Sequence, residues 1–269
     1  MQIYKKYLLY LVVSNSCCMA TESIHQRAKK YHEYLYQNPN FPKCYLVSFP
    51  KSGNTWMRYC LEYLTKRPTL PISFYKDGRH SGHYNIMRYP HDFRHPLNVD
   101  YLKFPIIKCH FPEQIFNEKF LPFDKNNDIL ILLIRNYKEV IPSHMNKLEV
   151  SKFYFNILEA YENWNPANRI LIYYEDFISN PEVELVRLLQ FLNEPPKYLI
   201  NFLENYKFHK TQCINDYAKN ISKPITQGNT ALFYSKKYSI TELIEIDEKI
   251  KKMYPILAKK YLTRYFENL

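Results

Sequence analysis

The chain has 269 residues, 46% of them hydrophobic, which is enough for one large α/β domain or two small ones with a sizeable core. Its 37 basic and 26 acidic side chains give a formal net charge of +11, which suits a nucleotide, nucleic acid, membrane surface or sulfated sugar as partner, although basic proteins without a polyanion partner are common. The 6 cysteines include no C-x-x-C pair, which argues against a zinc ribbon or a thioredoxin-type motif and favours a reducing compartment.

The first segment, residues 1–20, is a candidate leader. A basic start, "MQIYKK", is followed by the apolar run "YLLYLVV" at 7–13 and by small and polar residues at 14–20. This order is similar to a secretory signal peptide, but the apolar run is at the short end of the usual range and is too short to span a bilayer. We therefore expect a cytoplasmic protein without a membrane span, with secretion as the alternative.

Strands and helices are predicted to alternate along the rest of the chain. Continuous apolar runs, typical of a parallel sheet covered on both faces, predict strands at 44–49, 105–109, 128–134 and 169–174. Helical patterns occur at 55–65, 112–119, 137–150, 153–163, 181–192 and 240–263. The alternation predicts a single α/β domain over residues 1–269, with a three-layer parallel sheet flanked by helices. Residues 66–104 lack periodicity and predict a long functional excursion over the sheet edge.

The turn after the first strand, "SFPKSGNTW" at 48–56, has the features of an anion site. Such a site needs backbone N–H groups that converge on the anion, a helix N-terminus behind them and a cation beside them. Gly53 lets the backbone approach closely, and Lys51 supplies a positive charge. Ser52 and Thr55 add hydroxyl donors. The segment therefore predicts a phosphate loop, as in folds of the P-loop nucleotide-binding type.

This turn departs from the nucleoside-triphosphatase pattern G-x-x-x-x-G-K-[ST]. The first glycine is missing, and Lys51 precedes Gly53 instead of following it. Arg135, rather than a carboxylate that could hold magnesium, follows the strand at 128–134. A magnesium-dependent kinase is therefore disfavoured, and no metal site is expected.

Four segments resemble, in the family's order, motifs of the sulfotransferases that use 3′-phosphoadenosine 5′-phosphosulfate (PAPS). They are "PKSGNTW" at 50–56, "IIKCHFP" at 106–112, "IRNYKEVIPSHM" at 134–145 and "YYEDF" at 173–177. In that family they are the 5′-phosphosulfate loop, a strand with Lys and His ahead of Pro, the 3′-phosphate motif, and a Tyr-Glu-Asp strand end. The resemblance covers about residues 44–192 and implies a parallel sheet flanked by helices, with PAPS as co-substrate and no metal.

The resemblance implies which residues bind the donor. Lys51 would bind the 5′-phosphosulfate and neutralise the charge that develops on the departing phosphate oxygen. The neighbours that would donate to the same oxyanions are Ser52, Gly53, Asn54 and Thr55. Trp56 would pack near the adenine, with a position in the core as the alternative. Tyr174 would also contact the adenine.

The same resemblance implies the remaining roles. His110 would be the general base that takes the acceptor's proton, and Lys108, on the same side of its strand, would assist the transferring sulfonate. Arg135, through its bidentate fork, and Ser143 would bind the 3′-phosphate. After about residue 200 the resemblance weakens, and from the segment 221–237 only Lys223 is carried over as a residue that closes over the 3′-phosphate.

Two further expectations concern the acceptor and a pair of acids. Segment 72–98 carries cations among its aromatic residues, namely Lys76, Arg79, Arg88 and Arg94. A polar or anionic hydroxylated acceptor is therefore expected, with an apolar pocket beneath a solvated basic loop as the alternative.

Glu175 and Asp176 could cap the helix that follows them.

Other functions stay open on the sequence alone. A nucleotide-dependent phosphotransferase with a degenerate phosphate loop would be identified by a magnesium requirement. A nucleic-acid binder is disfavoured because the 26 tyrosines are spread along the chain instead of forming a stacking platform. A metal site would have to use the histidines of the excursion, His80, His83, His91 and His95. No Cys or carboxylate cluster completes that set.

Overall fold

A computed structural model describes residues 41–65, 69–71, 106–110, 124, 126–220 and 237–266. Its strands are β1 (Cys44–Ser48), β2 (Thr69–Pro71), β3 (Ile106–Cys109), β4 (Ile129–Ile134) and β5 (Arg169–Tyr173). They form one parallel sheet in the order β2-β3-β1-β4-β5. The prediction of a parallel sheet is confirmed. The edge strand β2 was not predicted, because its three residues are too few to show a periodic pattern.

Helices follow the strands and cover the sheet. They are α1 (Asn54–Thr65), α2 (Tyr137–Met145), α3 (Lys152–Glu162), α4 (Tyr174–Ser179), α5 (Pro181–Phe191), α6 (Leu199–Glu204), α7 (Tyr206–Asn220), α8 (Ile240–Met253) and α9 (Pro255–Leu257). After α9 the chain continues as a π-helical turn and a 3-10 turn, Ala258–Leu262 and Thr263–Tyr265.

Alternate residues of the central strand enter two cores, one on each face of the sheet. Tyr45 and Val47 pack with buried residues of α2, α3 and α8. Cys44 and Leu46 point the other way and pack with buried residues of α1, α5 and α6. Because successive side chains of a strand point to opposite faces, a run that is apolar at every position needs a cover on both sides. The two cores confirm the predicted three-layer arrangement.

Two predicted helices are shorter than their sequence patterns. Helix α2 ends at Met145 instead of residue 150, since Asn146 adopts a left-handed conformation with φ 61° and its N–H bonds to the carbonyl of Pro142. The helix predicted at 240–263 is interrupted after Met253. Pro255 lacks an N–H donor and disfavours helical geometry in the residue before it, so a new helix starts there.

Several predicted segments lie outside the described residues. They are the leader at 1–20, the helix at 112–119 and the excursion at 66–104 apart from β2. Among the helices of the described ranges, none has both the length and the apolar character needed to cross a membrane.

Candidate active site

Most of the predicted site residues lie at one edge of the sheet. Because β1, β3, β4 and β5 are parallel, their carboxyl ends lie on the same side, and these ends are followed by the loop 49–53, His110, Arg135 and Tyr174. The direction in which strands are added reverses at β1. After β1 the chain forms β2 and β3 on one side of it, and then crosses over to form β4 and β5 on the other side. Ligands of open α/β sheets bind at such a point, outside the carboxyl ends of the strands.

The loop after β1 has the backbone of an anion cradle. Lys51 and Gly53 both have positive φ, 72° and 87°, whereas Ser52 between them does not. Alternation of this kind turns successive N–H groups toward one concave surface. Helix α1 begins directly behind the loop, and its first turn closes with a 3.1 Å bond from Met57 N–H to the carbonyl of Gly53. The loop therefore combines a nest of N–H groups with a helix N-terminus.

Gly53 cannot be replaced without moving the aromatic ring that covers it. A Cβ at this position would lie 2.2 Å from Cε2 of Tyr174, and the backbone φ of 87° also disfavours any residue with a side chain. Tyr174, the first residue of α4, thus packs directly on the loop. The strand predicted to include residue 174 ends one residue earlier, at Tyr173.

The polar side chains of the loop are not equivalent. The Ser52 hydroxyl is buried and has no hydrogen-bond partner within the described structure. A buried hydroxyl without a partner is destabilising, and an anion in the cradle would supply the missing acceptor. Asn54 instead donates its side-chain amide to Ser48 Oγ at 2.8 Å, so this side chain ties the loop to β1. Thr55 is half-buried in the first turn of α1.

Arg135 joins the loop and Tyr174 into one unit. Its Nη1 donates to the carbonyl of Lys51 at 3.1 Å, and its guanidinium lies over the Tyr174 ring with 4.5 Å to the ring centroid. The Tyr154 hydroxyl donates to the Arg135 carbonyl at 2.7 Å. Arg135 is 5% exposed, so its side chain is held in one orientation by these contacts. Lys51, by contrast, is exposed.

Three predicted nucleotide contacts are not brought to this unit by the described structure. Ser143 lies in the last turn of α2, half-buried, and within the described residues no hydrogen bond joins it to Arg135. Lys223 lies outside the described ranges. Trp56 is 7% exposed in the core between α1 and α6, stacked on Phe202 at 5.9 Å between ring centroids. Trp56 thus lies in the hydrophobic core, which was the alternative to its predicted place near the adenine.

His110, at the end of β3, has a defined tautomer. Its Nδ1 lies 3.0 Å from the carbonyl oxygen of Ser48. A carbonyl only accepts, so Nδ1 carries the hydrogen and Nε2 is the basic nitrogen. Burial, with a further contribution from the nearby charge of Lys108, lowers the pKa of His110 to about 4. At neutral pH the imidazole is therefore uncharged and able to accept a proton.

Lys108, on β3, is also only partly exposed to solvent. Burial first, and then the charge of Arg58, lower the pKa of Lys108 to about 8. Arg58 in α1 donates through Nε to Thr69 Oγ1 at 2.7 Å and through Nη2 to the Thr69 carbonyl at 2.9 Å. Lys108 and His110 thus share one half-buried, cationic environment at the carboxyl end of β3.

A buried clamp beside Lys108 was missed by the sequence analysis. Glu62 accepts from the Thr69 N–H at 2.9 Å and also from the Thr69 hydroxyl, so with Arg58 it holds β2 against α1. Burial raises the pKa of Glu62 to about 7. The Arg and Glu are four residues apart and hence on one face of α1, which is the signal that could have pointed to a pair.

The interpretation of Glu175 and Asp176 as caps of the next helix is wrong. Asn180 is the N-cap residue of α5 and makes no side-chain cap bond. Glu175 accepts instead from the Asn136 N–H at 2.9 Å and from the Tyr265 hydroxyl at 2.7 Å. Asp176 forms a bidentate ion pair with Arg264, with N–O distances of 2.7 and 2.5 Å. Both acids therefore hold the C-terminal segment against the site.

The four histidines considered for a metal lie outside the described residues. In the part of the chain that the structure describes, no cluster of three or more His, Cys, Asp or Glu side chains is arranged to hold a metal ion.

Part of the chain is similar in sequence to members of the WSCD family. No family model matches the chain. A WSCD family member of Aedes aegypti is 28% identical over 176 residues, which cover 56% of this chain and 50% of the relative. A WSCD family member of Drosophila melanogaster is 26% identical over 176 residues with the same coverage, 56% and 50%. The chain thus spans about half the length of the curated relatives that it matches.

Solved structures with some similarity to this one include a sulfotransferase and a retinol dehydratase. A mouse sulfotransferase, SULT7A1, complexed with PAP, has a TM-score of 0.48 and 14% identity, covering 85% of this chain and 94% of that one. A retinol dehydratase in complex with retinol and PAP has a TM-score of 0.45 and 16% identity, covering 88% of each chain. The functional conclusion therefore depends on the geometry of the site.

Proposed function

We propose that the protein is a sulfotransferase that transfers a sulfonate group from PAPS to an acceptor hydroxyl or amine. The observation that carries the proposal is the placement, at one edge of the sheet, of an anion cradle, an orientated guanidinium and a neutral imidazole. The cradle is the loop 49–53, the guanidinium is that of Arg135 and the imidazole is that of His110. The order of the four sequence motifs supports the same function.

The residues present fit a nucleotide that carries anionic groups at both its 3′ and its 5′ position. The cradle, with the partnerless hydroxyl of Ser52, would hold the 5′ phosphosulfate, and Lys51 would add charge. Arg135 would bind the 3′-phosphate, because its guanidinium is held in place by the Lys51 carbonyl and the Tyr174 ring. Tyr174, an aromatic face beside both, would contact the adenine. Ser143 and Lys223 remain proposed contacts to the 3′-phosphate.

In the transfer step, His110 would act as the general base. Its Nε2 takes the acceptor's proton while the acceptor atom forms a bond to sulfur and the bond from sulfur to the bridging phosphate oxygen breaks. Negative charge then develops on the departing phosphate, where the positive charge of Lys51 would stabilise it. Lys108, charged below its pKa of about 8, would stabilise the sulfonate oxygens during transfer.

A phosphotransferase is the second candidate, because an anion cradle before a helix would hold a β- or γ-phosphate equally well. A thermal-shift experiment separates the two. The protein is heated with adenosine 3′,5′-bisphosphate, ADP or ATP, with and without magnesium. The proposed function requires the largest stabilisation with the bisphosphate, independent of magnesium. Stabilisation by ATP only with magnesium would contradict it and favour the phosphotransferase.

The acceptor is proposed to be a polar or anionic hydroxylated molecule. The cations that motivate this proposal lie in segment 72–98, outside the described residues. A panel of simple phenols, sterols and acidic glycans, assayed at low and high salt, tests it. Preference for glycans that weakens at high salt is expected, because screening reduces the attraction of a charged acceptor. Turnover of neutral phenols alone, without salt dependence, would contradict the acceptor class and leave the donor untouched.

A further inference from the structure

One carboxylate connects the C-terminal part of the chain to the candidate nucleotide site. Glu175 Oε1 accepts from the Asn136 N–H at 2.9 Å, and its Oε2 accepts from the Tyr265 hydroxyl at 2.7 Å. Asn136 directly follows Arg135, and Glu175 directly follows Tyr174. A single side chain thus fixes the two backbone segments that carry the guanidinium and the aromatic ring.

The hydroxyl that holds Glu175 belongs to a well-fixed residue. Tyr265 is 7% exposed, and its carbonyl accepts from Lys138 Nζ at 2.7 Å. Lys138 also forms an ion pair with Asp247 Oδ2 at 2.9 Å, with both side chains almost fully buried. The Tyr137 hydroxyl donates to the same carboxylate. These contacts fix the Tyr265 backbone relative to α2, and the Tyr265 ring packs edge-on against Tyr137 with 6.4 Å between ring centroids.

We propose that Glu175 and Tyr265 are positioning residues for recognition of the 3′-phosphate. The inference rests on the proposed function, because it takes the 3′-phosphate as the ligand of Arg135. The two residues act through Arg135 and Tyr174, whose stacking at 4.5 Å depends on the spacing between the end of β4 and the start of α4. The C-terminal segment, residues 239–266, serves as the support that keeps this spacing.

The Tyr265 hydroxyl is not needed to dock this segment. Arg264 pairs with Asp176 through two bonds, and Lys138 pairs with Asp247, so the segment is fastened to α4 and α2 independently. Removal of the hydroxyl should therefore leave the segment in place and release only the carboxylate of Glu175. Because the hydroxyl and the docking contacts are independent, the variant distinguishes a shift of Arg135 relative to Tyr174 from a general loss of structure.

The test is the ratio of dissociation constants for AMP and adenosine 3′,5′-bisphosphate, measured by calorimetry on the full chain. In Tyr265→Phe we expect this ratio to fall about 3- to 10-fold, because a displaced Arg135 weakens only the contact with the 3′-phosphate, whereas a displaced Tyr174 weakens the adenine contact of both nucleotides equally. Glu175→Gln, which still accepts from Asn136, should lower the ratio in the same direction. Tyr261→Phe is the matched control, since its hydroxyl donates to Glu162 on α3, away from the site.

The outcomes separate this inference from the proposed function. A wild-type preference for the bisphosphate that survives in Tyr265→Phe and Glu175→Gln would overturn the inference alone. An equal loss in Tyr261→Phe would also overturn it, because the effect would then be general loosening. A wild-type protein that binds AMP and the bisphosphate equally would overturn the proposed function, and the positioning role with it. If Glu175→Gln does not fold, Tyr265→Phe decides.

Discussion

The two halves of the candidate site hold their charged groups in different ways. On the nucleotide side, the Arg135 guanidinium is held by a backbone carbonyl and an aromatic face. On the transfer side, at the end of β3, burial and neighbouring cations lower the pKa of Lys108 to about 8 and that of His110 to about 4. Groups that bind an anion must stay charged, whereas a group that takes a proton must be neutral beforehand. The difference agrees with the proposed function, in which recognition and chemistry are divided between the ends of β4 and β3, the two strands that flank β1.

The largest expected effect comes from His110→Ala. Loss of the general base should lower the rate of sulfonate transfer by about 10²- to 10⁴-fold, because that is the usual contribution of a positioned base. The affinity for adenosine 3′,5′-bisphosphate should change less than about 2-fold, since His110 lies on the transfer side. His144→Ala is the control, an exposed histidine nearby that packs against Phe49. A large loss of nucleotide affinity in His110→Ala would break the division between the two sides.

The reverse pattern is expected for Arg135→Ala. The preference for adenosine 3′,5′-bisphosphate over AMP should fall by about 10- to 100-fold, as expected for the loss of hydrogen bonds to a charged group. Calorimetric titration with both nucleotides measures it. Arg187→Ala, which removes a surface arginine paired with Glu184, should leave the preference unchanged. An unchanged preference in Arg135→Ala would show that another residue binds the 3′-phosphate.

Ser52→Ala is expected to change the thermal stability of the protein and its affinity for nucleotide in opposite directions. The Ser52 hydroxyl is buried without a partner, and leaving such a group unsatisfied costs ~1–3 kcal/mol. The variant should therefore unfold at the same or a higher temperature than the wild type in the absence of nucleotide. Its affinity for the bisphosphate should nevertheless fall by about 10-fold, because a hydrogen bond to the charged 5′ end is lost. Reduced thermal stability together with unchanged affinity would assign the hydroxyl a purely structural role.

The smallest expected effect is a shift in pH dependence. His110 accepts a proton only when neutral, so kcat/KM should hold as pH falls to about 5 and then decline toward its lowered pKa of about 4. Lys108 acts when charged, so kcat/KM should decline as pH rises through about 8. Lys108→Arg should abolish only the alkaline decline, because a guanidinium stays charged. An alkaline limb that is unchanged in this variant would remove Lys108 from the transfer step.

Local features of the site were predictable from the sequence, and distant contacts were not. The loop, Arg135 and His110 each follow an apolar run, so their place at strand ends can be read from neighbouring residues. Glu175 and Tyr265 are 90 residues apart, and no periodic pattern connects them. The same limit applies to β2, which is held by its pairing with β3 and by the clamp on α1 instead of by its own apolar pattern.

The most direct test of this account is a crystal structure of the protein with adenosine 3′,5′-bisphosphate. We predict that the 5′-phosphate lies in the loop 49–53, within hydrogen-bond distance of the Ser52 hydroxyl, and that the 3′-phosphate lies on the guanidinium of Arg135. We also expect His110 to lie beside the 5′ end, on the side open to an acceptor. A nucleotide bound elsewhere, or bound with its 3′-phosphate away from Arg135, would contradict the division between the nucleotide side and the transfer side.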